Sequence, residues 1–129
     1  MQSRYTATLA MLVGFGLGVA AVQGLHAQGT APKFYAIVDV TEINDPKTFN
    51  ALLPKEQQAV TAAGGRYVTR TNDITAIDGV APLRFVIIAF DSMSKANSWN
   101  DSPAQAAVNK ERIGSTKSRA FIVAAEGAQ

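Results

Sequence analysis

Arg84 is followed by six apolar residues in a row, Phe85-Val86-Ile87-Ile88-Ala89-Phe90, before the polar pair Asp91-Ser92. The length of this run and its branched and aromatic side chains favour a strand. Successive side chains of a strand point to opposite faces, so Val86, Ile88 and Phe90 line one side while Phe85, Ile87 and Ala89 line the other. Both sides are apolar. A fold that accepts this strand must cover two faces of one sheet.

The neighbouring segments say what can do the covering. Residues 34–40 alternate Phe34, Ala36, Val38 and Val40 with Tyr35, Ile37 and Asp39, which predicts a first strand. Asp45-Pro46 starts a helix, with Asp45 as the N-cap and Pro46 at a position where its missing N–H costs nothing. Phe49, Leu52, Leu53 and Val60 give that helix its apolar stripe. Pro54 is expected to break or kink it, and Gly64-Gly65 to end it. Residues 66–71 read as a second strand, joined through turn formers around Asp78-Gly79 to the strand at 84–90. Asp91, Ser92 or Ser94 caps a helix carrying Ala96 and Trp99 that stops near Asn100-Asp101. Ser102-Pro103 restarts it as far as about Gly114, and residues 119–125 form the last strand before a polar tail at 127–129.

The order β-α-β-β-α-β is the split βαβ pattern of a ferredoxin-like α+β sandwich, a four-stranded antiparallel sheet with two helices on one face. Two helices leave the second apolar face of the 84–90 strand uncovered. A second copy packing sheet to sheet would cover it, so a homodimer, a dimeric α+β barrel, is expected.

Residues 1–27 have the layout of a secretory signal. Arg4 is basic, 9–22 are apolar or glycine, and Gln23-Gly24-Leu25-His26-Ala27 leads to a cut after Ala27. Export to the periplasm or the medium follows, with no membrane attachment after cleavage. The alternative, a retained membrane anchor, is disfavoured because Gln23 and Gly14, Gly16 and Gly18 shorten the apolar span below the ~20 residues a bilayer needs. Residues 28–33 then form a flexible leader, and the domain runs over 34–126.

Removing the first 27 of 129 residues takes away His26, the only histidine, from a chain with no cysteine. The remainder lacks the groups for Ser–His or Cys–His nucleophiles, for the usual zinc sites and for His or Cys haem ligation. No metal and no cofactor is expected. The near balance of 12 basic and 10 acidic residues argues against a nucleic-acid partner, which would require a basic stripe.

The chain resembles the family catalogued as domain of unknown function 1330, within the dimeric α+β barrel superfamily. The resemblance is carried by Tyr35 and Val40, Asp45-Pro46, Ala63-Gly64-Gly65-Arg66, and Arg84 with Val86 and Phe90. It continues through Asp91-Ser92, Trp99, and Ser102-Pro103 with Arg112 ten residues beyond Ser102. It implies the ferredoxin-like fold and the homodimer, but no established activity. Two positions depart from the family pattern: Ala89 stands where a carboxylate is usual, and Gln105 where a tyrosine is usual.

Tyr35, Arg66, Arg84, Trp99 and Arg112 are the candidate ligand-binding residues, holding an anionic aromatic molecule by ion pairing and stacking. The competing reading pairs the arginines with Asp39, Asp91 or Glu111 and places Trp99 in the core. Tyr35 and Asp39, four residues apart on one strand face, are the candidates for proton transfer. A small-molecule-binding dimer is the leading functional expectation. A cofactor-free monooxygenase or isomerase of the kind found in the resembled superfamily, or a module without a ligand, are the alternatives.

Overall fold

The alternation that begins at Phe34 becomes strand β1, Phe34–Ile43, in a computed structural model that describes residues 31–128. The expected secretory signal lies outside the described residues. Helix α1 (Pro46–Ala62) follows, then β2 (Arg66–Thr71), β3 (Arg84–Phe90), α2 (Met93–Asp101), α3 (Pro103–Ser115) and β4 (Thr116–Ala124).

The strands form one antiparallel sheet in the order β2-β3-β1-β4, and the fold is the ferredoxin-like α+β sandwich. Opposite Val86, Ile88 and Phe90 of β3 stand Val38, Ala36 and Phe34 of β1. The helices cover this side: Phe49, Leu52 and Val60 of α1, Ala96 and Trp99 of α2 and Val108 of α3 join Ala36, Val38, Val40, Val86, Ile88 and Phe90 in one core. The other side carries Tyr35, Ile37, Phe85 and Ile87, all half-buried, beside the exposed Phe121 and Val123 of β4. Among the described residues, no helix lies on it.

Short local signals set where the helices start and stop. Asp45 accepts from the Thr48 N–H at 3.2 Å and from the Thr48 hydroxyl at 2.7 Å, and Ser92 accepts from the Lys95 N–H at 3.1 Å. Caps of this kind contribute about 1 kcal/mol each. Gly64 leaves α1 with φ +78°, a left-handed conformation that side chains disfavour. Gly65 serves differently. A Cβ there would stand 2.9 Å from Phe90 Cε1 and from Val60 Cγ1, so glycine lets the chain pass close against the core, and an added methyl would cost about 1–3 kcal/mol in overpacking.

The expected break at Pro54 does not occur, and two strand boundaries differ from expectation. α1 continues through Pro54 to Ala62; the carbonyl that loses its bond belongs to Asn50, an exposed residue that water can serve. β1 runs past Val40 to Ile43, and β4 begins at Thr116. The two extensions pair with each other, Glu42 opposite Lys117 and Ile43 opposite Thr116, after a bulge between Val40 and Glu42.

Candidate functional site

Ser102 makes the joint between α2 and α3. Its hydroxyl donates to the Trp99 carbonyl at 2.7 Å, closing α2, and accepts from the Gln105 N–H at 3.2 Å, opening α3. Between this joint and the β1–β4 pair lies a cleft of about 360 Å³. Its floor is apolar and low, with Ala36 and Val38 from β1 and Ala120 and Ile122 from β4. Trp99, Asn100, Asn109 and Arg112 supply the polar wall.

Trp99 is 4% exposed, and its ring meets Phe90 at 5.4 Å between centroids with a tilt of 37°. Its indole Nε1 is buried without an acceptor. Arg112, 8% exposed, is held from several sides. It donates to Ser118 Oγ at 2.6 Å and to Asn109 Oδ1 at 3.5 Å, while the Thr116 hydroxyl donates to its carbonyl at 2.6 Å. Among the described residues no carboxylate ion-pairs with it. Burial lowers the guanidinium's affinity for its proton, and the field of Glu56 opposes that shift. Behind the wall, buried Gln105 donates from Nε2 to Asn109 Oδ1 at 3.0 Å, and its own Oε1 finds no donor.

A second polar group adjoins the first. Glu56 occupies an inward position of the α1 stripe and is 8% exposed. Burial raises its pKa, against the fields of Arg84, Arg112 and Arg70. Those arginines make neutral contacts instead of ion pairs: Arg70 donates to Gln57 Oε1 at 2.9 Å and lies 4.5 Å over the Tyr67 ring, and Arg84 donates to Asn72 Oδ1 at 3.2 Å. The Tyr67 phenol is pushed up to about 12, first by burial and then by Glu56.

The family model for a domain of unknown function, DUF1330, matches residues 33–126. The chain belongs to this family. No curated protein is significantly similar to it in sequence. Among solved structures, the DUF1330 chain is similar to a protein of unknown function from Rhodopseudomonas palustris. That pair has 13% identity and a TM-score of 0.58, covering 81% of this chain and 90% of the other. It is also similar to SnoaB, a cofactor-independent oxygenase from Streptomyces nogalater (12% identity, TM-score 0.55, coverage 74% and 95%). A dimeric ferredoxin-like protein of unknown function from Thermobifida fusca is a third (13%, 0.55, 76% and 96%). At these identities the likeness is one of fold.

Of the residues expected to share a pocket in this DUF1330 domain, Trp99 and Arg112 meet in the cleft. Arg84 lies on the same side of the sheet, within the field of Glu56. Tyr35 and Arg66 flank Ala89 on the opposite face, so the sheet itself separates them from Trp99. Arg66 takes the expected pairing with an acid, Asp91 at 3.0 Å, which holds that carboxyl below its ordinary range. Asp39 shares the open face with Tyr35 and pairs with Arg119; its Oδ1 is buried without a donor. Glu111 pairs with Lys55 at 3.0 Å. The two departures from the family pattern also separate: Gln105 backs the polar wall, and Ala89 lies across the sheet from it.

Sequence reasoning passed over Asn100, Asn109 and Glu56. The first two carry no local signal, but Glu56 does, because it interrupts the apolar stripe of Phe49, Leu52 and Val60. A carboxyl whose proton affinity rises on folding favours the native state below the unfolded value, here 4.5, and loses that contribution as pH climbs through the folded value. Asp45 and Asp91, both shifted down, act in the opposite sense and weaken the fold as pH falls. The nearly isosteric Glu56→Gln is therefore expected to melt above the unmodified protein at about pH 7, with the gap closing by about pH 4. Calorimetry across that range is the check, and a gap that widens on acidification contradicts the assignment.

Proposed function

We propose that this DUF1330 protein is an exported homodimer that binds small molecules carrying an acidic group on an apolar body, one in the cleft of each subunit. The observation that carries this reading is Arg112, buried without a carboxylate partner among the described residues in the wall of a cleft that Trp99 also lines, the Trp99 indole N–H being itself buried without an acceptor among those residues. An unsatisfied buried donor costs about 1–3 kcal/mol, and an oxygen of a ligand would remove that cost. Arg112 supplies the matching charge. The cleft volume falls in the range of about 300–1,000 Å³ typical of ligand sites, and the low alanine floor suits a flat apolar body.

Among the described residues, the lining contains no carboxylate, histidine, cysteine or lysine. It therefore offers donors and a cation but no group that exchanges protons near neutral pH, which favours binding over acid–base catalysis. Oxygenation of the SnoaB kind would require a substrate that ionises without a protein base, and oxygen uptake during turnover would reveal it.

The open face supports pairing of two copies. Among the described residues nothing covers Ile37, Phe85, Ile87, Phe121 and Val123 there, and burying each large side chain stabilises by about 1.5–3 kcal/mol. Ile87 lies on this face and Ile88 in the subunit's own core, so Ile87→Asp addresses the interface alone.

Three measurements test the proposal. Calorimetric titration with benzoate should show binding that benzamide does not match. Arg112→Gln should weaken it about tenfold or more, as expected for a charged hydrogen bond, and Trp99→Phe several-fold; equal affinity for benzamide, or indifference to both substitutions, overturns the reading. Dimerisation is expected to be part of folding, with a melting temperature that rises with protein concentration and an Ile87→Asp variant that unfolds. A folded Ile87→Asp monomer with a concentration-independent melt would reject it. For export, the N-terminus of protein recovered outside the cytoplasm should read from Gln28, whereas full-length chain in the membrane fraction points to an anchor.

A further inference from the structure

β2 and β3 are antiparallel neighbours, which a turn of about two to five residues suffices to join. In this chain residues 72–83 connect them. The connection is anchored at both of its ends. The Asp73 N–H donates to Thr71 Oγ1 at 2.9 Å, Arg84 holds Asn72, the Leu83 N–H donates to the Val40 carbonyl at 2.8 Å, and Gly79 turns the chain with φ +75°. On this frame Ile77 and Val80, at 102% and 98% exposure, stand fully in water on either side of Asp78-Gly79, with Leu83 half exposed below them.

Single exposed apolar residues need no explanation. Two branched side chains presented together on a projection anchored at both ends are a different matter, since neither gains anything from the subunit that carries it. The charge of the segment is one-signed: Asp73 and Asp78 are its only ionised side chains.

The position of the segment indicates what it meets. It leaves the sheet beyond the rung formed on the open face by Thr71, Phe85, Asp39 and Arg119. If a second copy packs on that face about a two-fold axis parallel to the strands, edge strand β2 of one copy lies against β4 of the other, with the same ends of the sheets together. That end of β4 begins with the basic residues Lys117 and Arg119, which pair within their own subunit with Glu42 at 3.6 Å and with Asp39 yet keep their side chains 73% exposed and open to a second carboxylate, and the exposed Phe121 follows. A twelve-residue segment that doubles back reaches about 20 Å, enough to lie along those residues.

We propose that residues 72–83 form an arm that clasps a second copy of this chain. Ile77 and Val80 rest on the start of its β4 beside Phe121, and Asp73 and Asp78 face its Lys117 and Arg119. The arm rests on the sheet-to-sheet dimer argued above and adds to it a contact outside the sheet faces. An anionic membrane surface would repel the two carboxylates, which favours the protein partner.

The absence of cysteine makes the test clean, because an introduced pair has no competing thiols. In Asp78→Cys/Lys117→Cys protein, mild oxidation is expected to yield a covalent dimer on a non-reducing gel, with either single substitution yielding little. In the Ile77→Asp/Val80→Asp variant, circular dichroism at concentrations where the dimer persists should be unchanged, while on dilution the sedimenting dimer is lost at a concentration at least tenfold higher than in the unmodified protein. A dimer that neither cross-links nor weakens overturns the arm and leaves sheet-face pairing intact, whereas an unmodified protein that sediments as a monomer removes both. A double variant that loses only adsorption to phosphatidylglycerol vesicles also overturns the arm and reassigns Ile77 and Val80 to a membrane surface.

Discussion

The register between β1 and β3 decides what every other element can do. With Val38 opposite Val86 and Ala36 opposite Ile88, the buried side chains of both strands turn toward the helices. A slip of one residue would present Ile37 and Phe85 there instead and send the present core to the open side. Because the pairing is fixed this way, Phe49, Leu52 and Val108 have one surface to close on. The opposite face is left apolar as a result of the same choice. The core under the helices and the apolar open face are thus two results of one alignment.

The helix layer does not seal everywhere. Where the α2–α3 joint passes over β1 and β4, Ala36 and Ala120 are too small to fill the space beneath Trp99. Polar side chains gather at the rim of that gap. Removing a guanidinium from water costs several kcal/mol unless other groups replace its hydration. For Arg112 the replacements are Ser118 and Asn109, both neutral, with Glu56 acting at longer range. The result is a positive charge held in place by neutral acceptors, in contrast to Arg66 and Arg119, which carboxylates neutralise. Arg70 and Arg84 are treated in the same way as Arg112, so the side of the sheet under the helices concentrates cationic groups around one carboxyl of raised proton affinity.

Much of this architecture was legible because its signals are local. Asp45-Pro46, Ser92 and Ser102-Pro103 act on N–H groups within one helical turn, and Gly64 answers to its own φ angle. The features that escaped depend on distant partners. The outer ends of β1 and β4 exist because Glu42 and Ile43 find Lys117 and Thr116, which no periodicity in either segment encodes. The grouping of Tyr35 and Arg66 with Trp99 took residue chemistry as its guide and left out strand parity, which places odd-numbered Tyr35 opposite the even-numbered floor of the cleft. Ile87 and Ile88 were equivalent in the sequence, and only the packing of the helices distinguished core from open face.

The joint at Ser102 brings the chain's single tryptophan to the cleft and to no other place. The protein is for that reason labelled by nature at its candidate site. The indole is shielded from water, packed at a tilt against Phe90, and without a hydrogen-bond partner on its nitrogen among the described residues, a state that gives short-wavelength emission. A guest that came to rest against this indole would alter the excited state directly, so the colour and intensity of intrinsic fluorescence would report occupancy of this cleft without an attached dye.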